Sequence, residues 1–155
     1  MPILLEESSI YDPYDAYTSQ IIDDRFRYTE FHNKLKQSLD SILDFVFNTT
    51  PADFIKDRIS IPLSLNENQS KEIAKIVMEI IIADSYLGNI VEQIRQRVFV
   101  DEQKAKIIAG LIVAELFAPI LEELKKKHIE KFAKNTPVQL RQQGDDRVVN
   151  LKNNI

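Results

Sequence analysis

The sequence predicts an all-α fold, a small bundle of about five helices containing a tandem helix-link-helix repeat with a period of about 35 residues, flanked by extended N- and C-terminal tails. Three observations predict it. Apolar residues recur at spacings of three and four along most of the chain. Only 3 glycines and 6 prolines are present, too few to punctuate a many-stranded sheet. The apolar pattern of residues 55–81 returns 35 positions later. At 155 residues, 44% hydrophobic and 28% charged, the chain has material for one packed core. Its expected organisation is an N-terminal arm, 1–12, a helical domain, 13–134, and a polar C-terminal tail, 135–155, that carries a short apolar docking segment.

A first helix begins near Pro13: Asp12 can accept the free amides of the first turn, proline suits the first helical position, and Asp15 opposes the positive end of the dipole. Tyr14, Tyr17, Ile21, Tyr28, Phe31, Leu35, Leu39, Ile42 and Val46 then follow at helical spacing, as one long helix or two, with Asp23-Asp24-Arg25 the expected break. Asn48-Thr49-Thr50-Pro51 ends the run, because the residue before proline avoids the α region.

The repeat follows. Ile55, Ile59, Leu63, Leu65, Ile73, Ala74, Ile76, Val77 and Ile81 fall on Ile90, Ile94, Val98, Val100, Ile108, Ala109, Leu111, Ile112 and Leu116, and Asn66-Glu67 falls on Asp101-Glu102, a pair of helix starts. Each unit reads as a short helix, a brief extended link over Leu63 to Leu65 or Val98 to Val100, and a longer helix. Leu39, Ile42 and Val46 match Ala74, Val77 and Ile81, which suggests a degenerate third copy. The last helix runs from about Glu102 to Lys134 with a kink or break near Ala118, since Pro119 removes a hydrogen bond and crowds the preceding turn. Gly110, in the middle of that helix, is the expected site of a close helix approach.

Chemistry-bearing patterns are sparse. There is no cysteine, so disulfides and thiolate chemistry drop out and a cytoplasmic location is expected. The N-terminus lacks a basic segment and its apolar stretch is too short for a signal peptide. The longest apolar run, Ile107 to Ile120, falls short of a membrane span. His32 and His128 belong to no metal-ligand pattern, and the three glycines form no phosphate loop, so no catalytic residue, metal or cofactor is expected. Glu79 and Glu115 interrupt apolar helices, where each is expected to lie at a polar edge or meet a Lys or Arg.

Candidate binding residues lie outside the repeat. Tyr11, Tyr14 and Tyr17 line one face of the first helical turns, either as an anchor for a partner or packed on the parent domain. Val148, Val149 and Leu151, flanked by Asp145, Asp146, Arg147 and Lys152, have the form of a linear docking peptide. Charge divides unevenly: residues 1–119 carry 12 basic and 19 acidic side chains, and 120–155 carry 8 and 5. Any phosphate- or anion-facing surface therefore falls on Lys125, Lys126, Lys127, Lys131, Lys134, Arg141 and Arg147, although cations near a helix C-terminus also suit the dipole. The reading is a non-catalytic helical scaffold or adaptor that binds other proteins, a larger assembly or a second copy of itself. The alternative is a small factor held on the ribosome or another ribonucleoprotein by its basic C-terminal region.

Overall fold

The computed structural model describes residues 10–135, and among these every regular element is helical. Eight α-helices follow in order: α1 Pro13–Ser19, α2 Arg25–Lys36, α3 Asp40–Val46, α4 Thr50–Phe54, α5 Glu67–Ile81, α6 Ile90–Val98, α7 Glu102–Leu111 and α8 Leu121–Asn135. Wider π-helical turns extend α4 through Ile55–Ser60 and α7 through Ile112–Leu116, and 3-10 turns occupy Leu87–Asn89 and Ala118–Ile120. Packing divides the chain within α8, between Glu123 and Leu124.

The count exceeds five because the N-terminal stripe folds as three helices and the C-terminal one is interrupted. Asp24 starts α2 by accepting the Arg27 amide at 3.1 Å, so the first break sits in the expected polar cluster. A second, unexpected break falls at Gln37–Leu39, where α2 ends and α3 restarts in a new phase. Ile42, Phe45 and Val46 consequently face the core while Leu39 is left 60% exposed, so Leu39 departs from the buried stripe and from the fully buried Ala74 that it matched. Further on, Ala118–Ile120 tighten into a 3-10 turn around Pro119 and separate α7 from α8.

In the first unit α5 is the central helix. Asn66 and Gln69 close its N-terminus reciprocally, each side chain bonding the other's backbone amide at 2.9 and 2.8 Å. Ile73, Ala74, Ile76, Val77, Met78, Ile80 and Ile81 are fully buried, so nearly the whole circumference of its C-terminal half is covered. Each large side chain contributes on the order of 1.5–3 kcal/mol by leaving water. Helix α1 packs on one side of α5 and α6 on another, and α7 packs in turn on α6.

Some positions 35 residues apart share local geometry, while the turns over Ile55–Ser60 are π-helical and those over Ile90–Val98 are α-helical. Ser64 and Phe99 are both left-handed, at φ 57° and 61°. Asn66 and Asp101 each cap the helix that follows, accepting the amides of Gln69 and Lys104. Ile59 with Ile94, Ile73 with Ile108, and Val77 with Ile112 are fully buried. The links are turns, not extended segments: Leu63 and Leu65 donate back to the carbonyls of Ile59 and Ser60, and Val98 still belongs to α6. A single left-handed residue reverses the chain at once and leaves no length for an extended stretch. Gly110 also differs from expectation, since a Cβ built there meets nothing within 4 Å. The glycine lies exposed on α7, and no other helix among the described residues approaches it.

Candidate interaction surface

Polar side chains inside the fold serve to join helices. Arg97 on α6 donates from Nη1 and Nη2 to the two carboxylate oxygens of Glu79 at 2.6 and 3.0 Å, and from Nε to Glu72 Oε1 at 3.2 Å. Ser85 Oγ donates to the same Glu79 at 2.9 Å. Burial works against the charge on Arg97, and the hydrogen bonds and charges of Glu79 and Glu72 outweigh it, so the guanidinium is held above its ordinary pKa. Glu79 therefore meets an arginine, and Glu115 does too: Arg58 in the first π-helical turn reaches Glu115 in the second at 2.7 Å. Both carboxylates thus sit in ion pairs that join elements. Among the described residues no group of histidine, aspartate and glutamate is arranged to hold a metal ion.

The tyrosines of the N-terminal arm pack mostly inward. Tyr17 is buried, its ring 4.7 Å from that of Phe31 and its hydroxyl donating to Asp84 Oδ2 at 3.2 Å. Lys34 Nζ meets the other oxygen of Asp84 at 2.6 Å, so one carboxylate at the end of α5 ties down both α1 and α2. Burial pushes the phenol of Tyr17 up to about 12. A ring this deep adds nothing to an outer surface in this conformation. Tyr14 is half-buried; its hydroxyl meets His32 Nε2 at 2.7 Å, and its ring centroid lies 5.2 Å from Phe47. Tyr11, also half-buried, precedes the helix. The structure therefore brings Tyr14 together with Phe47, a residue that the periodicity did not mark.

At the C-terminal end, Lys125 and Lys126 are exposed on α8, Lys127 is half-buried, and Lys131 lies over the Phe132 ring at 5.7 Å. Glu122, Glu123 and Glu130 share the helix with them. His128 is buried. Lys134 belongs to α8 by its backbone. Arg141, Arg147, Val148, Val149 and Leu151 lie outside the described residues.

Large apolar side chains facing water form the most distinctive surface feature. Phe99 is 84% exposed, Phe26 74% and Phe47 62%, while Phe31, Phe45 and Phe117 are buried. Isolated exposed apolar residues are ordinary, but Leu39, Leu43 and Phe47 follow one another at intervals of four from the N-cap of α3 to its C-cap, and the Tyr14 ring lies beside Phe47. The periodicity marked Leu39 alone of the three, and as part of the buried stripe.

No helix among the described residues is long and apolar enough to cross a membrane. Comparison with models of protein families, with curated proteins and with solved structures gave no match for this chain.

Proposed function

We propose that this chain is a non-catalytic helical scaffold or adaptor that binds other proteins through its termini and the apolar faces of its helices. The observation that carries the reading is the set of phenylalanines at 26, 47 and 99, which face water around a core that is complete without them. Aromatic side chains of this kind are the anchors on which protein interfaces concentrate their energy. Glu79 and Glu115, the glutamates that interrupt the apolar helices, are taken up in ion pairs between elements.

In this reading the centre of the scaffold is a tandem repeat of helix-link-helix units, residues 55–81 and 90–116. The left-handed pair Ser64 and Phe99, the cap pair Asn66 and Asp101, and the matched buried positions support it. Two units bury too little surface between themselves to stand alone, and α1 covers one flank of α5. The ribonucleoprotein reading is weaker, because Glu122, Glu123 and Glu130 on α8 offset part of the positive charge of its lysines.

The test is photo-crosslinking of the full chain in extract of its native cells, with Phe26, Phe47 or Phe99 replaced by benzoylphenylalanine, repeated after removal of residues 1–12 or 136–155. Discrete protein crosslinks from the exposed positions, altered by loss of either terminus, are expected. Overturning the adaptor reading takes crosslinks from none of the three positions. An unchanged set after both truncations removes the termini from it.

A further inference from the structure

Three residues spaced by four make a ridge along a helix, and such a ridge fits the groove between ridges on a second helix. Leu39, Leu43 and Phe47 form one across α3, Leu39 from its N-cap, Leu43 from within it and Phe47 from its C-cap, with Leu39 and Phe47 60% and 62% exposed and Leu43 half-buried. It spans about 12 Å at a helical rise of about 1.5 Å per residue. The Tyr14 ring, 5.2 Å from Phe47, widens the apolar surface at one end. Next to the ridge, at the adjoining helical positions, stand Asp40 and Asp44, both exposed. Neither enters an ion pair among the described residues, and α3 itself carries no basic side chain.

We infer that this face of α3 docks a cationic amphipathic helix of another protein, whose leucine-type side chains straddle the Leu39–Leu43–Phe47 ridge while its lysines or arginines meet Asp40 and Asp44. The inference rests on the adaptor reading and names a class of partner for it. A strand is a poor occupant, because the backbone groups of α3 are engaged within the helix and offer no edge to pair with. A second copy of α3 is also a poor one. In an antiparallel contact of two like helices the same flanks meet, which would set Asp40 and Asp44 against their own counterparts.

The surface departs from what local stability would select. Leu39 occupies the N-cap of α3 and supplies no side-chain hydrogen bond there, whereas the caps of α1, α2, α5 and α7 are Asp12, Asp24, Asn66 and Asp101, each accepting an amide. Serine at position 39 would be the better cap. Leu39→Ser therefore removes apolar contact without weakening the fold.

The experiment uses the full chain and a fluorescein-labelled 18-residue synthetic helix of leucine and lysine, with a leucine and glutamate helix as its counterpart, read by fluorescence anisotropy at low and at physiological salt. The lysine peptide is expected to bind and the glutamate peptide to bind at least about tenfold more weakly. Leu39→Ser and Phe47→Ser should each weaken binding by about tenfold, the loss of an interface anchor. The pair Asp40→Asn with Asp44→Asn should weaken it by about fivefold at low salt and less at high salt. Phe99→Ser, and the pair Glu67→Gln with Glu102→Gln, which removes the same charge elsewhere, should stay within about twofold. Thermal melts of each variant report folding, and Leu39→Ser keeps the test open if Phe47→Ser unfolds. Absence of lysine-peptide binding overturns the inference, as does equal binding of both peptides or equal loss from Phe99→Ser and Phe47→Ser. A dimer of the chain alone that Leu39→Ser dissociates also overturns it, in favour of a second copy. The crosslinks from Phe26 and Phe99 test the adaptor reading separately, so failure here leaves that result standing or falling by itself.

Discussion

The left-handed residues at 64 and 99 give a test in which the sign of the result matters more than its size. An L-residue in this region pays roughly 1–2 kcal/mol for the approach of its Cβ to the following carbonyl, and glycine escapes that cost. Glycine in turn loses more chain entropy on folding, worth roughly 0.5–1 kcal/mol. The balance at φ 57° and 61° therefore favours glycine over alanine by about 0.5–1 kcal/mol. Comparing Phe99→Gly with Phe99→Ala, and Ser64→Gly with Ser64→Ala, removes everything beyond Cβ in all four variants and leaves the Cβ as the difference within each pair. At an ordinary helical site such as Gln96, in the interior of α6, the order should reverse, with alanine ahead by about 0.5–1 kcal/mol. Urea unfolding followed by circular dichroism reads each difference; in a chain of this size about 1 kcal/mol corresponds to roughly 2–4 °C in Tm. Alanine equal to or better than glycine at both 64 and 99 would refute the left-handed turns, and with them the geometric equivalence of the two links.

Three further outcomes follow from polar groups that are buried or half-buried. Ser60 Oγ and Ser70 Oγ face each other at 2.7 Å and both are buried, so either single change to alanine strands a hydroxyl at a cost of about 1–2 kcal/mol, and the double change should recover most of it in a double-mutant cycle. Arg97→Met leaves Glu79 and Glu72 without their shared cation and should cost about 2 kcal/mol in denaturant unfolding, with part of the loss recovered by adding Glu79→Gln. Burial raises the carboxyl of Asp12 from 3.8 to about 6, aided by the charge of Asp15 and opposed by the Asp15 amide. A pKa raised on folding means that the native state holds the proton more tightly; the stabilisation is complete below about 4 and is lost as pH rises through about 6. Asp12→Asn keeps a capping side chain and should add a few tenths of a kcal/mol to about 1 kcal/mol at pH 7, allowing for solvent screening, and nothing at pH 4. Gains of equal size at both pH values would contradict this assignment.

What the sequence disclosed is what depends on neighbours along the chain. Asp12, Asn66 and Asp101 mark helix starts because a cap bonds an amide three residues away, and each does so in the structure. Much of the burial over 55–81 and 90–116 was legible too, because apolar residues at helical spacing share a face, although Ile76 is fully buried and Leu111 only half. The second break was hidden because Gln37 and Ser38 contain neither glycine nor proline, and a run of apolar residues at helical spacing continues across it. Once the phase resets there, no count of spacings can say that Leu39 and Phe47 face water. The pairing of Arg97 with Glu79 was out of reach for another reason: it joins two helices 18 positions apart, and the repeat assigns those positions no equivalent charges.

Two exposed apolar residues break local preferences with no gain to the fold. Phe99 holds a conformation that costs free energy to any side chain, and its counterpart Ser64 adopts it too, so the turn itself does not call for an aromatic ring. Leu39 fills a cap position that a polar residue would stabilise better, and it gains little burial in return. A fold optimised for its own stability would place neither residue there, and sequences tend to break local rules where function supplies a separate requirement. That is the argument for seeking this protein's partners at its exposed apolar residues and not in its ion-paired interior: the interior satisfies the fold, and Leu39, Phe47 and Phe99 do not.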